Sequence, residues 1–229
     1  AFATGTELWS GSFTASRFQH WIFSRATDDA GNVEIPAGGQ RLFVAGVPAA
    51  DTLGRGRDAG GASNCVNMVG ATGLWNPEGL IAEFVSQRLY VADTNNNRVV
   101  VHSLGAGLPT DAPAEFVLGQ PSFDSCDPGV SATKMNRPTR LAVDPWSLRL
   151  FVSDTGNNRV LIFDLDAGAS GQAAINVLGQ PDFTTSSGGV GQQRLSVPAG
   201  LVVDIPARTL YIVDYGNNRL LAHHLDAGI

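Results

Sequence analysis

The hydrophobic positions of this chain fall in short runs separated by turn residues. Three runs are rich in Val, Ile, Leu and Phe and have the length of β-strands, namely Arg140 to Asp144, Arg149 to Asp154 and Asn158 to Asp164. The connector Asp154 to Asn158 supplies Gly and Asn where a tight hairpin needs positive φ, so the second and third runs should form a hairpin. A fourth run, Ala173 to Leu178, ends in Gly-Gln-Pro, where the proline blocks further ladder pairing. The pattern predicts four antiparallel strands.

The same pattern recurs at a spacing of about sixty residues. The stretch Asp93 to Arg98 returns as Asp154 to Arg159 and again as Asp214 to Arg219. The flanking stretch Leu118 to Pro121 returns as Leu178 to Pro181. A single small sheet cannot bury both of its faces, so neighbouring repeats must stack. We therefore expect an all-β chain in which each repeat is one four-stranded antiparallel blade of a β-propeller.

The repeats predict one propeller domain over residues 1–229, with about four blades. Residues 71–121 and 132–181 should each form a blade, residues 192–229 a partial blade, and residues 1–70 a degenerate first blade with an N-terminal segment. Residues 225–228 match 165–168, after which the sequence stops, so we expect the ring to be incomplete. The alternative is a four-bladed ring in which the segment around Thr6 to Phe13 supplies the missing outer strand.

The segment Pro198 to Leu220 carries a family resemblance. Its elements Pro-x-Gly-Leu-x-Val-Asp, Leu-Tyr-x-Val-Asp and Gly-Asn-Asn-Arg-Leu resemble the NHL repeat. The resemblance covers Pro77 to the C-terminus strongly and the first seventy residues weakly. It implies a β-propeller, usually six-bladed, of which this chain would be a part. It says little about function, because the family includes protein-binding and RNA-binding modules and related propellers include lyases and hydrolases.

The charge and hydropathy of the chain restrict the classes of partner and the type of protein that we expect. Fifteen Lys and Arg against 21 Asp and Glu give a net charge of -6, so no overall positive field attracts a phosphate backbone and we expect no nucleic-acid partner. Hydrophobic residues make up 43% of the chain, but no apolar run approaches the ~18 residues of a membrane span. We expect a folded chain without a transmembrane segment.

An Asp and an Arg flank the same hairpin loop in three repeats. We expect each pair to form a charge-assisted hydrogen bond that locks the turn. A catalytic residue need occur only once, whereas a turn lock must recur in every blade, so we assign no catalytic residue. The predicted turn locks are Asp93, Arg98, Asp154, Arg159, Asp214 and Arg219.

The sequence offers little support for a metal or a cofactor. Asp93-x-Asn95-x-Asn97 resembles the start of a calcium loop, but its sixth position is Arg98 and its twelfth is Leu104, where a calcium loop has Gly and Glu. Lactonase-like enzymes on related propellers gather carboxylate and amide ligands near the axis. The inner strands here begin with Glu78, Thr139 and Ala199, which supply one carboxylate. We expect neither a metal nor a cofactor.

Trp146 and the two cysteines are the remaining candidates. Trp146 follows Asp144-Pro145 between the first two strands of its blade and is a candidate binding contact, the alternative being packing between blades. Cys65 and Cys126 occupy the same place in successive connectors. They could form a disulfide, which fits an exported protein, or remain two small buried thiols, since a bridge requires Cα atoms about 4.4 to 6.8 Å apart.

Every recurrent polar residue has a structural explanation, which favours a noncatalytic propeller. We expect a protein-binding or assembly scaffold, exported from a bacterium to the periplasm or the extracellular space, with a protein partner or a larger assembly. The alternative is a metal-dependent lyase or lactonase-like hydrolase with its site at the propeller axis.

Overall fold

The computed structural model describes residues 26–27, 33–34, 53, 70–105, 107–109 and 111–227. The chain divides into two units, Ala1–Pro48 and Ala49–Ile229. The described residues of the first unit form an antiparallel pair, β1 (Ala26–Thr27) with β2 (Val33–Glu34). The degenerate blade predicted in residues 1–70 lies almost entirely outside the described residues. The same holds for the segment around Thr6 to Phe13, which the alternative ring would use as its missing outer strand.

The described residues of the second unit form three successive antiparallel sheets, in which strands adjacent in sequence pair with each other. We number the blades from here and leave out the degenerate blade predicted in residues 1–70. The first blade is then β3 (Pro77–Glu83), β4 (Arg88–Asp93), β5 (Arg98–Ser103) and β6 (Phe116–Leu118). The second blade is β7 (Pro138–Asp144), β8 (Arg149–Asp154), β9 (Arg159–Asp164) and β10 (Asn176–Leu178). The third blade is β11 (Pro198–Asp204), β12 (Thr209–Asp214) and β13 (Arg219–His224). The prediction of four antiparallel strands in each of the first two blades is confirmed.

The blades stack through their faces and through their first strands. Strand β7 contacts both β3 and β11, so the first strands of successive blades lie side by side. One hydrophobic cluster joins the first blade to the second, through residues such as Tyr90, Val99 and Leu150. Another joins the second blade to the third, through Phe151, Val160 and Ile212. The all-β fold of stacked blades is that of a β-propeller.

Each hairpin loop between the second and third strands is a single 3-10 turn followed by a left-handed Asn. The second blade has the turn at Thr155–Asn157, and Asn158 takes a φ of 54°. Asn tolerates this conformation better than most residues do. Gly156 instead lies inside the turn, where an added Cβ would stand 2.7 Å from the backbone oxygen of Asn136. Gly156 does not have a positive φ, so the expectation that it supplies one is wrong. Its missing side chain instead allows the close approach of the loop that contains Asn136.

The outer strands end at a glycine that precedes the proline by two residues. Gly119 has a φ of +81° and Gly179 a φ of +85°, so the chain turns there. An added Cβ on Gly119 would lie 2.7 Å from Cγ of the buried Met135. The turn therefore depends on glycine, and the proline of Gly-Gln-Pro follows it.

Candidate functional site

The structure brings each predicted Asp and Arg together across its hairpin loop. In the second blade, Oδ2 of Asp154 accepts hydrogen bonds from Nε of Arg159 at 2.7 Å and from Nδ2 of Asn157 at 2.8 Å. Its Oδ1 accepts one from the backbone N–H of Asn136 at 2.7 Å. The carboxylate thus holds both the loop and the segment before β7.

The first and third blades repeat this arrangement at nearly the same distances. Nε of Arg98 donates to Asp93 at 2.7 Å, and Nε of Arg219 donates to Asp214 at 2.7 Å. The backbone N–H groups of Trp75 and Ser196 donate to these two carboxylates at 2.6 Å and 2.7 Å. Three repeats therefore share one hydrogen-bond pattern.

The guanidinium groups tie each blade to the loops around it. Nη1 of Arg159 donates to the carbonyl of Phe183 at 2.6 Å, and Nη2 donates to those of Ser131 and Lys134, both at 2.9 Å. Arg98 likewise reaches the carbonyls of Phe123, Gly70 and Gly73. Arg98 and Arg159 thus join the connector before their blade to the connector after its outer strand, whereas Arg219 donates to the connector before its blade, at Val190, Gly191 and Arg194.

Burial governs the electrostatics of these pairs. The side chains of Arg98 and Arg159 are fully buried with their carboxylate partners, whereas that of Arg219 is 26% exposed. Burial raises the pKa of the Asp93 and Asp154 carboxyls, and the nearby guanidinium acts in the opposite direction. Groups enclosed in this way do not face solvent, where a ligand would approach.

Trp146 lies in the turn between β7 and β8 and faces solvent. Its side chain is 69% exposed. The guanidinium of Arg208, from the corresponding turn of the third blade, lies over the indole ring at 5.6 Å from the centroid. Nη1 of Arg208 also donates to Oδ2 of the buried Asp144 at 2.6 Å. Burial by itself would raise the pKa of the Asp144 carboxyl. Hydrogen bonds from Ser147 and Arg208 outweigh this effect and hold the pKa of Asp144 below its usual range.

The equivalent turns of the other blades also carry exposed apolar residues. Phe84 and Val85, in the turn between β3 and β4, are 79% and 73% exposed. Pro206 is exposed in the turn between β11 and β12. We call these residues the turn arc: Phe84, Val85, Trp146 and Pro206. Because the three turns are repeat equivalents in stacked blades, they lie at the same end of the sheets.

The sequence made Trp146 a candidate binding contact, which stays a prediction, and did not draw attention to Phe84 and Val85. An alignment of the repeats could have placed Phe84 and Val85 in a turn, because Glu83-Phe84-Val85 aligns with Asp144-Pro145-Trp146 of the next repeat. However, two adjacent apolar residues directly after a strand fit a continuation of that strand as well as they fit a turn. The turn after Glu83 became evident only from the pairing of Glu83 with Arg88.

The second residues of the inner strands β3, β7 and β11 are Glu78, Thr139 and Ala199, and they do not form a carboxylate cluster. Oε2 of Glu78 lies 3.7 Å from Nη1 of Arg140, which also donates to the Glu78 carbonyl at 2.8 Å. Oγ1 of Thr139 lies 2.7 Å from Oγ1 of Thr155. Within the described ranges, no three His, Cys, Asp or Glu side chains lie close enough to hold a metal ion. The one predicted carboxylate is thus engaged by an arginine.

Cys126 is buried and disulfide-bonded. Cys65, with which the sequence could pair it, lies outside the described residues, so the pairing stays a prediction. Among the described residues, no helix is both long enough and apolar enough to cross a membrane.

The comparisons with known proteins agree with this architecture. Residues 135–163, which contain strands β7 and β8 and most of β9, match the family model described as NHL repeat. No curated protein matches the chain.

Two of the solved structures that match this chain are similar to it in part. A chain of the structure titled "Crystal structure of Nidogen/Laminin Complex" is 20% identical, with a TM-score of 0.43 over 66% of this chain and 44% of that one. The Kuenenia stuttgartiensis hydrazine synthase is 13% identical, with a TM-score of 0.41 over 65% of this chain and 45% of that one. The chain therefore spans less than half the length of either structure.

Proposed function

We propose that this chain, which is an NHL-repeat protein built of β-propeller blades, acts as a protein-binding module and contacts its partner through the turn arc. The observation that carries the proposal is the exposure of Phe84, Val85 and Trp146 at equivalent turns. Large apolar side chains grouped on a surface mark interaction sites, because leaving them in water is unfavourable. Aromatic side chains of this kind carry much of the affinity of protein interfaces.

The environment of Trp146 supports a preorganised contact. Arg208 stacks on one side of the indole and is held by Asp144 at 2.6 Å and by Asp226 at 3.1 Å. A side chain already held in place loses less conformational entropy on binding. The exposed part of the indole is then ready to enter an apolar pocket on a partner.

The proposal extends to assembly and export. A scaffold that presents several equivalent turns can contact one partner over a wide arc, which suits a role in assembly. The disulfide of Cys126 supports export to an oxidising compartment, such as the periplasm or the extracellular space, because disulfides persist there. We also propose that the protein comes from a bacterium.

The test begins with capture of partners from the source organism, followed by titration calorimetry with the purified pair. The arc variant combines Phe84→Ser and Trp146→Ser, and the matched control is Val190→Ser, because Val190 is 78% exposed but lies in a connector. We expect the arc variant to lose roughly tenfold or more in affinity and the control to retain its affinity. Unchanged affinity in the arc variant would refute the role of the turn arc. Thermal unfolding of each variant separates lost binding from lost fold.

A further inference from the structure

The charges of the three blades are divided unevenly between their two ends. The turns between first and second strands and the loops after the third strands lie at one end, which we call the turn-arc end. Among residues 70–227, eight acidic and three basic residues lie at this end, in the turns, the loops or the strand ends that border them. The opposite end, with the hairpin loops and the connectors, carries seven residues of each sign. All of the excess negative charge of these blades therefore lies at the turn-arc end.

Most of the acidic side chains at the turn-arc end reach solvent. Two of the eight, Glu83 and Asp144, are buried. The other six are exposed or partly exposed, namely Asp111, Glu115, Asp164, Asp166, Asp204 and Asp226.

The three arginines of the turn-arc end do not offset this charge towards a partner. Each already forms an ion pair with a carboxylate of the same end, namely Arg88 with Glu115 at 3.3 Å, Arg149 with Asp164 at 3.2 Å and Arg208 with Asp226 at 3.1 Å. The carboxylates outnumber them, so the end presents a net negative charge to solvent.

Charges elsewhere in the chain leave this field in place. Residues 1–69 contain five basic and six acidic residues, so they hold no surplus of positive charge. A strand of six residues is roughly 20 Å long, which is about twice the Debye length of ~10 Å at 0.1 M salt. The balanced charges of the opposite end are therefore largely screened from a partner at the turn-arc end.

Trp146 gives the acidic end an apolar contact. It belongs to the second blade, which packs against the first blade on one face and the third on the other, and its side chain is still 69% exposed. Arg208 stacks on the indole, and Asp144 and Asp226 balance the charge of that guanidinium. The face of an indole attracts cations and its body is apolar, so the open part of the ring suits both kinds of group.

We propose that the occupant of the turn arc is a basic, apolar protein segment, whose Lys or Arg side chains meet these carboxylates while an apolar side chain packs beside Trp146. The inference rests on the proposed function and adds the chemistry of the partner. Complementary charge speeds the encounter of two proteins and excludes partners of the wrong sign.

A second copy of the chain is a poor occupant of this surface. The chain has a net charge of -6, and the opposite end of its blades is balanced in charge. Like charges at the turn-arc ends of two copies repel each other. The charges therefore favour a different, basic partner.

The test uses the intact chain and a labelled synthetic peptide of about 12 residues in which Lys alternates with Leu, followed by fluorescence anisotropy. The matched control peptide has Glu in place of every Lys. We expect saturable binding of the basic peptide below about 1 mM and at least tenfold weaker binding of the acidic one. Raising the salt from about 0.05 M to about 0.5 M should weaken the basic peptide roughly fivefold or more. Binding of the acidic peptide as tight as that of the basic one, or no effect of salt, would overturn the proposal.

Two charge variants locate the site. Asp166→Lys reverses an exposed charge at the turn-arc end and should weaken the basic peptide roughly threefold or more. Asp124→Lys is the matched control, because Asp124 is equally classed as exposed but lies in a connector at the opposite end, and it should change the affinity by less than about 1.5-fold. Thermal unfolding shows that both variants keep their fold. Equal effects of the two variants would show that the peptide responds only to net charge and would overturn the proposal.

Trp146→Ser separates failure of this inference from failure of the proposed function. We expect it to weaken the basic peptide roughly threefold or more. If the acidic peptide binds and Trp146→Ser weakens it, the turn arc stands and the basic partner is wrong. If Trp146→Ser changes the affinity of neither peptide, the turn arc itself is refuted at this residue. A concentration-dependent dimer that Trp146→Ser disrupts would identify a second copy as the occupant and overturn the proposal.

Discussion

Replacement of Asp154 by alanine should destabilise the chain more than replacement of Asp214, although the two residues are repeat equivalents. Each accepts hydrogen bonds from an Arg, an Asn and a backbone N–H. The difference lies in the arginine left behind, because the Arg159 side chain is fully buried and that of Arg219 is 26% exposed. Water can solvate the unpaired charge of Arg219 but not that of Arg159.

The expected magnitudes follow from this difference in burial. Removing one partner of a buried ion pair costs about 3–5 kcal/mol, which is the range we expect for Asp154→Ala. Partial solvation of Arg219 brings the cost of Asp214→Ala to about 1–3 kcal/mol. Asp154→Asn should fall between the alanine variant and the native chain, because the amide oxygen can still accept from Arg159. Ordinary domains are stable by about 5–15 kcal/mol, so each loss is measurable.

Urea unfolding followed by circular dichroism gives the free energy of unfolding for each variant. Asp166→Ala is the control, because Asp166 is exposed, and it should change stability by less than about 0.5 kcal/mol. Equal losses for Asp154→Ala and Asp214→Ala would refute the argument from burial. Loss of partner binding in only one of these variants, at unchanged melting temperature, would show that the residue belongs to a binding site.

Three further predictions concern a turn, a histidine and the disulfide. Gly119→Ala should cost about 1–3 kcal/mol in urea unfolding, since φ is +81° and the new Cβ would meet Met135. Burial lowers the pKa of His102 from 6.5, so the free energy of unfolding should fall as the pH drops below about 6.5, where the unfolded state binds more protons. His102→Phe, which copies the buried Phe163 of the second blade, should reduce this fall in pH-dependent melting curves. Reduction of the Cys126 disulfide should cost about 2–5 kcal/mol, measured by melting with and without dithiothreitol.

The hairpin loops and their ion pairs could be predicted because they depend on local spacing. Asp154 and Arg159 lie at the two ends of one short loop, and adjacent antiparallel strands place such residues opposite each other. The recurrence of this spacing also predicted the repeated sheets. The conformation inside the loop was less predictable, since the need for Gly156 comes from Asn136, which lies in another loop.

The outer contacts of the arginines depend on segments far apart in sequence. Arg159 reaches Phe183 on one side and Ser131 on the other, and nothing in the spacing of the hairpin identifies those carbonyls. Stacking of the blades also brings Arg208 to Trp146 and leaves the indole exposed, whereas the sequence allowed burial between blades equally well.

The sequence by itself determined the strands, the repeat and the pairing across each loop, because these follow from the alternation of side chains and from turns of a few residues. Only the tertiary structure decided which equivalent residues are covered. Val160 and Leu220 occupy the same place in their repeats, yet one is buried and the other exposed. The physical reason is that exposure depends on whether a further strand or blade packs against a position, and the local sequence does not carry that information.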